Sequence, residues 1–276
     1  MTSSAFATLS SLLRANCDAC STQVFLGGLA AMALEHRAVC HPYLHDLAAG
    51  SLPDLRFALA DFACQYYGYS AHFPRYLTAV ISRLEDPAHR HALLENLIEE
   101  RGIYQQDELR ALAALGIQED WIVGIPHPDL FERFRSALNM GNSASAPESM
   151  EVVCWREMFL MILVHGSPAE AIGALGFGTE AIVQTIYRPF VKAIDRLGTI
   201  HPRDAVFFPL HTAVDDHHQA SLKQVAAAFA HDPQGRLDLA KGMLKALQLR
   251  EAFWSWLHLR AQNPQCAQPI PLVCQA

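Results

Sequence analysis

Two histidines and an aspartate share one face of the segment Phe207 to Phe229, FFPLHTAVDDHHQASLKQVAAAF, and are the residues of this sequence best placed to bind a divalent metal. The apolar residues Phe207, Leu210, Val214, Leu222, Val225 and Phe229 recur at three- and four-residue steps, which predicts a helix with one buried face. At about 100° per residue, His211, Asp215 and His218 fall within an arc of roughly 60° on that face, whereas Asp216 and His217 point elsewhere. An acid and two imidazoles in an apolar stripe each cost several kcal/mol in desolvation unless something compensates them. A divalent cation does so, and two neutral imidazoles with one carboxylate form the ligand set of a non-haem Fe(II) site that leaves positions open for oxygen and substrate. The competing reading is a hydrogen-bonded His/Asp/His cluster without metal; the coincidence of three such groups on one apolar face favours the metal.

One helix cannot surround an ion, so further ligands are expected from other helices. In LLENLIEERG the residues Leu93, Leu94, Leu97 and Ile98 predict the buried face, with Glu100 on its border and Glu99 roughly opposite. In GFGTEAIVQTIYRPFVKAI, Glu180 lies along an edge shared with Val183, Tyr187 and Val191 and is expected to face inward. Each glutamate also has a bland reading. Glu180 would be an acid in the first turn of a helix capped by Thr179, and Glu100 a solvated member of an acidic pair.

The elements that must position these groups read almost entirely at helical period. Helices are expected around Phe25–Ala49, Leu55–Tyr67, Pro74–Leu84, His89–Leu115, Asp129–Leu138, Glu151–Val164, Thr179–Leu197, Pro202–Phe229 and Gly235–Leu259, with breaks at Pro and Gly. The expected fold class is therefore all-α, one helical bundle spanning residues 1–276, with 139–149 as a surface loop between two halves and 263–276 as an extended tail. A hydrophobic fraction of 51% is enough to bury a large core and argues against disorder. The net charge of −7 gives no basic surface for phosphate neutralisation, so nucleic acid is not an expected partner. Neither a secretory leader nor a membrane-spanning run is evident, and a cytoplasmic location is expected, without a membrane partner. Seven scattered cysteines, an odd number, do not describe a disulfide framework, and the single C-x-x-C at Cys17 and Cys20 lacks a matching second pair for zinc.

Taken in order, NLIEERG, GALGFGTEAIVQTIYRPF, FFPLHTAVDDHHQASL and REAFWSWL resemble the haem-oxygenase-like diiron oxidases and oxygenases, an iron-containing redox enzyme family, from about Leu44 to Leu257. The most specific part is a glutamate about thirty residues ahead of H-x-x-x-D-x-x-H, reproduced by Glu180, His211, Asp215 and His218. The resemblance implies a haem-oxygenase-like bundle of about seven core helices that holds two Fe(II) ions, with O2 as cosubstrate. Glu180 would bridge the irons, Glu100 would serve one, and His211, Asp215 and His218 the other.

One feature departs from the family. Its members place a histidine several residues after the first glutamate, and here Ile103 to Leu109 reads IYQQDEL. Asp107, seven residues beyond Glu100, would share its face if the helix continued through Gly102, and stands as the tentative substitute ligand. His41, His45, Tyr66, Tyr67 and His72 are read as packed or hydrogen-bonded core residues in preference to a cavity lining.

The function so implied is an O2-dependent oxidase or oxygenase acting on a small organic substrate of amino-acid or fatty-acid type, with an external electron donor and a homodimer as further expectations. The alternatives are a mononuclear iron enzyme using only the His211, Asp215, His218 triad, a metal-free thiaminase-like protein, and a binding protein with a vestigial site.

Overall fold

The computed structural model describes residues 21–138, 148–213 and 215–266, and the side chains of residues 215–220 lie outside that description. Helices α1 (Thr22–Glu35), α2 (Pro42–Ala49), α3 (Leu55–Ser70), α4 (Phe73–Ile81), α5 (Pro87–Glu99), α6 (Gln106–Ala114), α7 (Glu119–Ile122) and α8 (His127–Ala137) form the first half. The second half contains α9 (Met150–His165), α10 (Pro168–Ile172), a π-helical stretch (Gly173–Glu180), α11 (Ala181–Leu197), α12 (Phe207–Ala213), α13 (Asp215–Phe229) and the long α14 (Pro233–Gln262). No strand occurs among the described residues, and no helix there is long and apolar enough to cross a membrane. The loop expected at 139–149 and the tail expected from 263 lie largely outside the described residues; the tail begins with a single 3-10 turn, Pro264–Cys266.

Two of the expected helices are broken, each for a local reason, and a third starts later than expected. The one expected over Phe25–Ala49 divides because the chain turns between His36 and Cys40 and restarts with Pro42 in the first turn of α2, where a missing N–H is harmless. The one expected over His89–Leu115 ends at Glu99, and Gly102 sits at φ +77°, a left-handed conformation that glycine adopts without strain. The one expected over Pro202–Phe229 begins at Phe207, and its described stretches α12 and α13 lie on either side of residue 214, which is outside the described residues.

A single contiguous core joins both halves. At its centre Phe62 of α3 packs against Phe190 of α11 at a ring separation of 4.0 Å, with Trp254 of α14 and Phe131 of α8 close by. Such aromatic packing combines large buried area with fixed ring geometry. The π-helical stretch and α14 meet almost backbone to backbone. A Cβ on Gly173 would lie 2.0 Å from the Leu239 carbonyl oxygen, and one on Gly242 only 1.9 Å from that of Glu170.

The start of α2 carries a pH dependence. The buried His41 ring accepts from the Tyr43 N–H at Nδ1, which leaves Nε2 protonated and donating to Ser255 Oγ. Its second proton has no place without breaking the helix cap, and burial, with His258 and Arg37 nearby, holds the imidazole down at about 4 against an ordinary 6.5. The unfolded chain therefore takes up this proton first as pH falls. The stability contributed by neutral His41 is complete above 6.5 and declines between 6.5 and about 4, by at most on the order of 3 kcal/mol. His41→Asn, a cap that does not titrate, should flatten the denaturant-midpoint profile across that interval; a profile parallel to wild type would refute this.

Candidate metal centre

Glu100 closes α5 and is only 5% exposed. The face reading of α5 needs correction: Leu94 and Ile98 are exposed, whereas Leu93, Asn96, Glu99 and Glu100 are buried. Glu99 is thus not turned to solvent, since α13 and α4 both pack against α5.

The break at Gly102 decides what meets Glu100. The chain reverses and two backbone bonds tie the later strand of chain to it: Gly124 N–H to Gly102 C=O at 2.8 Å and His127 N–H to Glu100 C=O at 3.0 Å. A side chain at Gly102 would strike the Ile125 backbone, with a Cβ 2.5 Å from its oxygen. This clamp brings His127, the first residue of α8, against Glu100, and His127 Nδ1 lies 3.1 Å from Glu100 Oε1. On its far side His127 Nε2 is 2.9 Å from the Tyr104 hydroxyl. Burial pushes the Tyr104 phenol far up, with the charge of Glu100 adding to it, so the hydroxyl keeps its proton.

His211 on α12 completes the group. Its ring stands 4.7 Å from that of His127, and one potential ligand atom each from Glu100, His127 and His211 lie within 4.8 Å of one another. His211 Nδ1 faces the Phe207 carbonyl oxygen at 2.7 Å, and because a carbonyl only accepts, Nδ1 carries the hydrogen and Nε2 is the nitrogen with the acceptor lone pair.

Glu180 reaches the same pocket from the other half of the chain. It is buried, at the end of the π-helical stretch rather than in a first turn: α10, the π turn and α11 run on without a cap. The Thr179 hydroxyl donates to the Ala174 carbonyl five residues back, matching the widened turn. Single π turns of this kind recur at functional sites because the extra residue re-aims side chains without ending the helix.

The pocket, a cavity of about 40 Å³ partly open to solvent, is lined by Glu100, His127, Glu180 and His211 together with Tyr66, Tyr69, Tyr187 and apolar groups such as Phe73, Val183 and Phe207.

Of the residues singled out from the sequence, the structure brings Glu100, Glu180 and His211 to one pocket. Asp215 and His218 lie on α13, and their side chains are outside the described residues. Asp107 is not brought there: it is exposed in the first turn of α6, because the helix it was expected to extend stops before Gly102. Tyr66 is a buried, hydrogen-bonded core residue, as expected, and also lines the pocket, while His41 is a helix cap.

His127 was missed. A signal existed, since His127, Leu130, Phe131 and Phe134 share one buried face of α8 at helical spacing. Tyr104→Phe tests the outer contact of this ring. Outer-shell partners of ligating histidines typically contribute 10–100-fold in metal affinity, and the phenylalanine should weaken Co(II) binding by roughly 10-fold and alter its visible spectrum. An unchanged affinity and spectrum would remove Tyr104 from the site.

Comparison with known proteins reports the following. A family model described as iron-containing redox enzyme matches residues 60–251. A 4-aminobenzoate synthase of Chlamydia muridarum is 24% identical over 215 residues, 77% of this chain and 82% of the relative. A CADD-like protein of unknown function from Nostoc punctiforme has a TM-score of 0.69 at 17% identity, covering 88% of this chain and 99% of its own. A domain of unknown function with a haem-oxygenase-like fold from Shewanella denitrificans has a TM-score of 0.67 at 14% identity, covering 90% and 97%. The structural likenesses establish a haem-oxygenase-like all-α fold.

Proposed function

Because the chain belongs to the iron-containing redox enzyme family, we propose that this pocket is the metal centre of an O2-dependent, non-haem oxidase or oxygenase acting on a small organic substrate of amino-acid or fatty-acid type. The observation that carries this reading is the convergence of Glu100, His127 and His211, two imidazoles and a carboxylate from three separate helices, within 4.8 Å. Such groups are costly to bury without a cation, and they match the hard-to-borderline donor set that Fe(II) accepts.

In this reading Glu100 binds through its carboxylate, His127 through Nδ1 and His211 through Nε2. With Nδ1 held by a metal, the neutral His127 ring would carry its proton on Nε2, within reach of the Tyr104 oxygen as acceptor at 2.9 Å. Glu180 serves as the ligand supplied from across the pocket. Asp215 and His218, in the first turns of α13, are proposed to ligate a second ion, which would make a diiron site in which His127 takes the place of the histidine absent from Ile103 to Leu109. Bound Fe(II) supplies electrons for O2 reduction and Lewis acidity at its open positions. Around it, Phe73, Val183 and Phe207 exclude bulk water and hold the substrate's apolar part. An external electron donor belongs to the same proposal.

A second reading has its own support. Two histidines and one carboxylate alone suffice for a mononuclear Fe(II) site. Anaerobic Fe(II) loading with metal analysis and Mössbauer spectroscopy separates the two: close to two ions per chain supports the pair, close to one supports the single iron. No specific iron uptake, or O2 consumption that is indifferent to iron under a panel of amino and fatty acids, would sink both. The chlamydial relative is a 4-aminobenzoate synthase, so aromatic amino acids and aromatic carboxylates belong in that panel.

A further inference from the structure

Arg250 on α14 is a buried cation that pairs with no acid among the described residues. It is 1% exposed, and among the described residues its hydrogen bonds go only to two neutral hydroxyls, Tyr66 and Tyr69, both at 3.4 Å. Its Nε has no hydrogen-bond partner among the described residues, and the guanidinium otherwise faces the rings of Tyr69 and Trp155, each at 5.4 Å. Cation–π contact offsets part of the desolvation of such a charge, and a buried cation lacking a counter-ion remains costly.

The two hydroxyls beside it are acceptors toward it. Arginine only donates, so the Tyr66 and Tyr69 oxygens accept from Arg250 and keep their own protons to give away. Tyr66 lies 2.9 Å from the Tyr187 hydroxyl, and if it donates there, the Tyr187 proton is passed onward. Burial holds the Tyr69 and Tyr187 phenols far above their ordinary range, so both stay protonated donors. All three tyrosines line the pocket that contains Glu100, His127 and His211.

We propose that Arg250 and the tyrosines linked to it, Tyr66, Tyr69 and, through Tyr66, Tyr187, form the subsite that receives the carboxylate of the substrate, so that the acid group is held by phenol donors and not by the metal. The proposal deepens the reading of the pocket as a redox site and rests on it for the word substrate; the binding of an anion rests on the tyrosines and Arg250 alone. A carboxylate there would accept from protonated phenols polarised by a cation, the charge-assisted arrangement that strengthens hydrogen bonds about twofold.

The test uses matched probes, benzoate against benzamide and hexanoate against hexanamide, titrated calorimetrically into the whole protein both metal-free and loaded with Zn(II). Each acid should bind at least about 10-fold tighter than its amide, the discrimination expected of one charge-assisted contact. Arg250→Met and, independently of any folding defect in that variant, Tyr187→Phe should each lower acid affinity several-fold with little change for the amide. Acids and amides binding alike, or neither binding, overturns the proposal. So does acid preference that appears only with Zn(II) and survives both substitutions, because the metal would then hold the carboxylate. Should the protein take up no metal, the redox reading fails, and the metal-free titrations still decide the anion subsite by themselves.

Discussion

His127→Ala is expected to lower Fe(II) and Co(II) affinity by more than about 100-fold, given that even outer-shell partners of ligating histidines contribute 10–100-fold. The substitution removes one of three donor atoms that lie within 4.8 Å and deprives the Glu100 carboxylate of its imidazole contact at 3.1 Å. His127 is buried, so no water-exposed neighbour stands ready to replace it. Competition titration against a chromophoric chelator measures the affinity. Asp107→Ala is the matching control: Asp107 is exposed at the start of α6, and its removal should leave the affinity within error of wild type. The opposite result, binding retained in His127→Ala and lost in Asp107→Ala, would mean that the clamp at Gly102 does not build the centre.

The contrast between these two residues shows where sequence reasoning reached and where it stopped. Glu180 and His211 were legible because each sits in a helix whose apolar period fixes the direction of its side chain. The same reasoning failed at Glu100's partner because it assumed an unbroken helix. A left-handed Gly102, and a second left-handed glycine at Gly124 with φ +72°, reverse the chain and tie it across, so the partner of Glu100 comes from 27 residues away. Period alone carries no information about such a clamp. The π turn before Glu180 was equally hidden, since it changes register inside a continuous helix while leaving the composition of that helix ordinary. The burial of Glu99 and the exposure of Leu94 and Ile98 make the same point: which side of α5 is covered depends on where α13 lies, a fact of tertiary packing.

The π-helical stretch also exposes the most fragile point in the frame. Its position is set by α14, which approaches it through Gly173, Gly178 and Gly242. Alanine at a buried helical glycine gains about 1 kcal/mol of helix propensity, and that gain must be weighed against steric overlap. At Gly242 the overlap wins: a Cβ would lie 1.9 Å from the Glu170 carbonyl oxygen and 2.9 Å from the Ala174 amide nitrogen, and both are backbone atoms with no rotamer to yield. Overpacking against side chains alone costs typically 1–3 kcal/mol. Gly242→Ala should therefore destabilise the fold, and Gly242→Val should do so by about 3 kcal/mol or more, read as a lower urea midpoint at unchanged slope. Because α14 would be forced off the segment that carries Glu180, metal affinity should fall in the same variant even at temperatures where it remains folded. Gly27→Ala provides the reference, for nothing lies within 4 Å of its Cβ in the exposed face of α1, and it should gain up to about 1 kcal/mol. A Gly242→Val protein as stable as wild type would show that α14 does not set the position of the π turn, and the account of how Glu180 is aimed would have to be rebuilt.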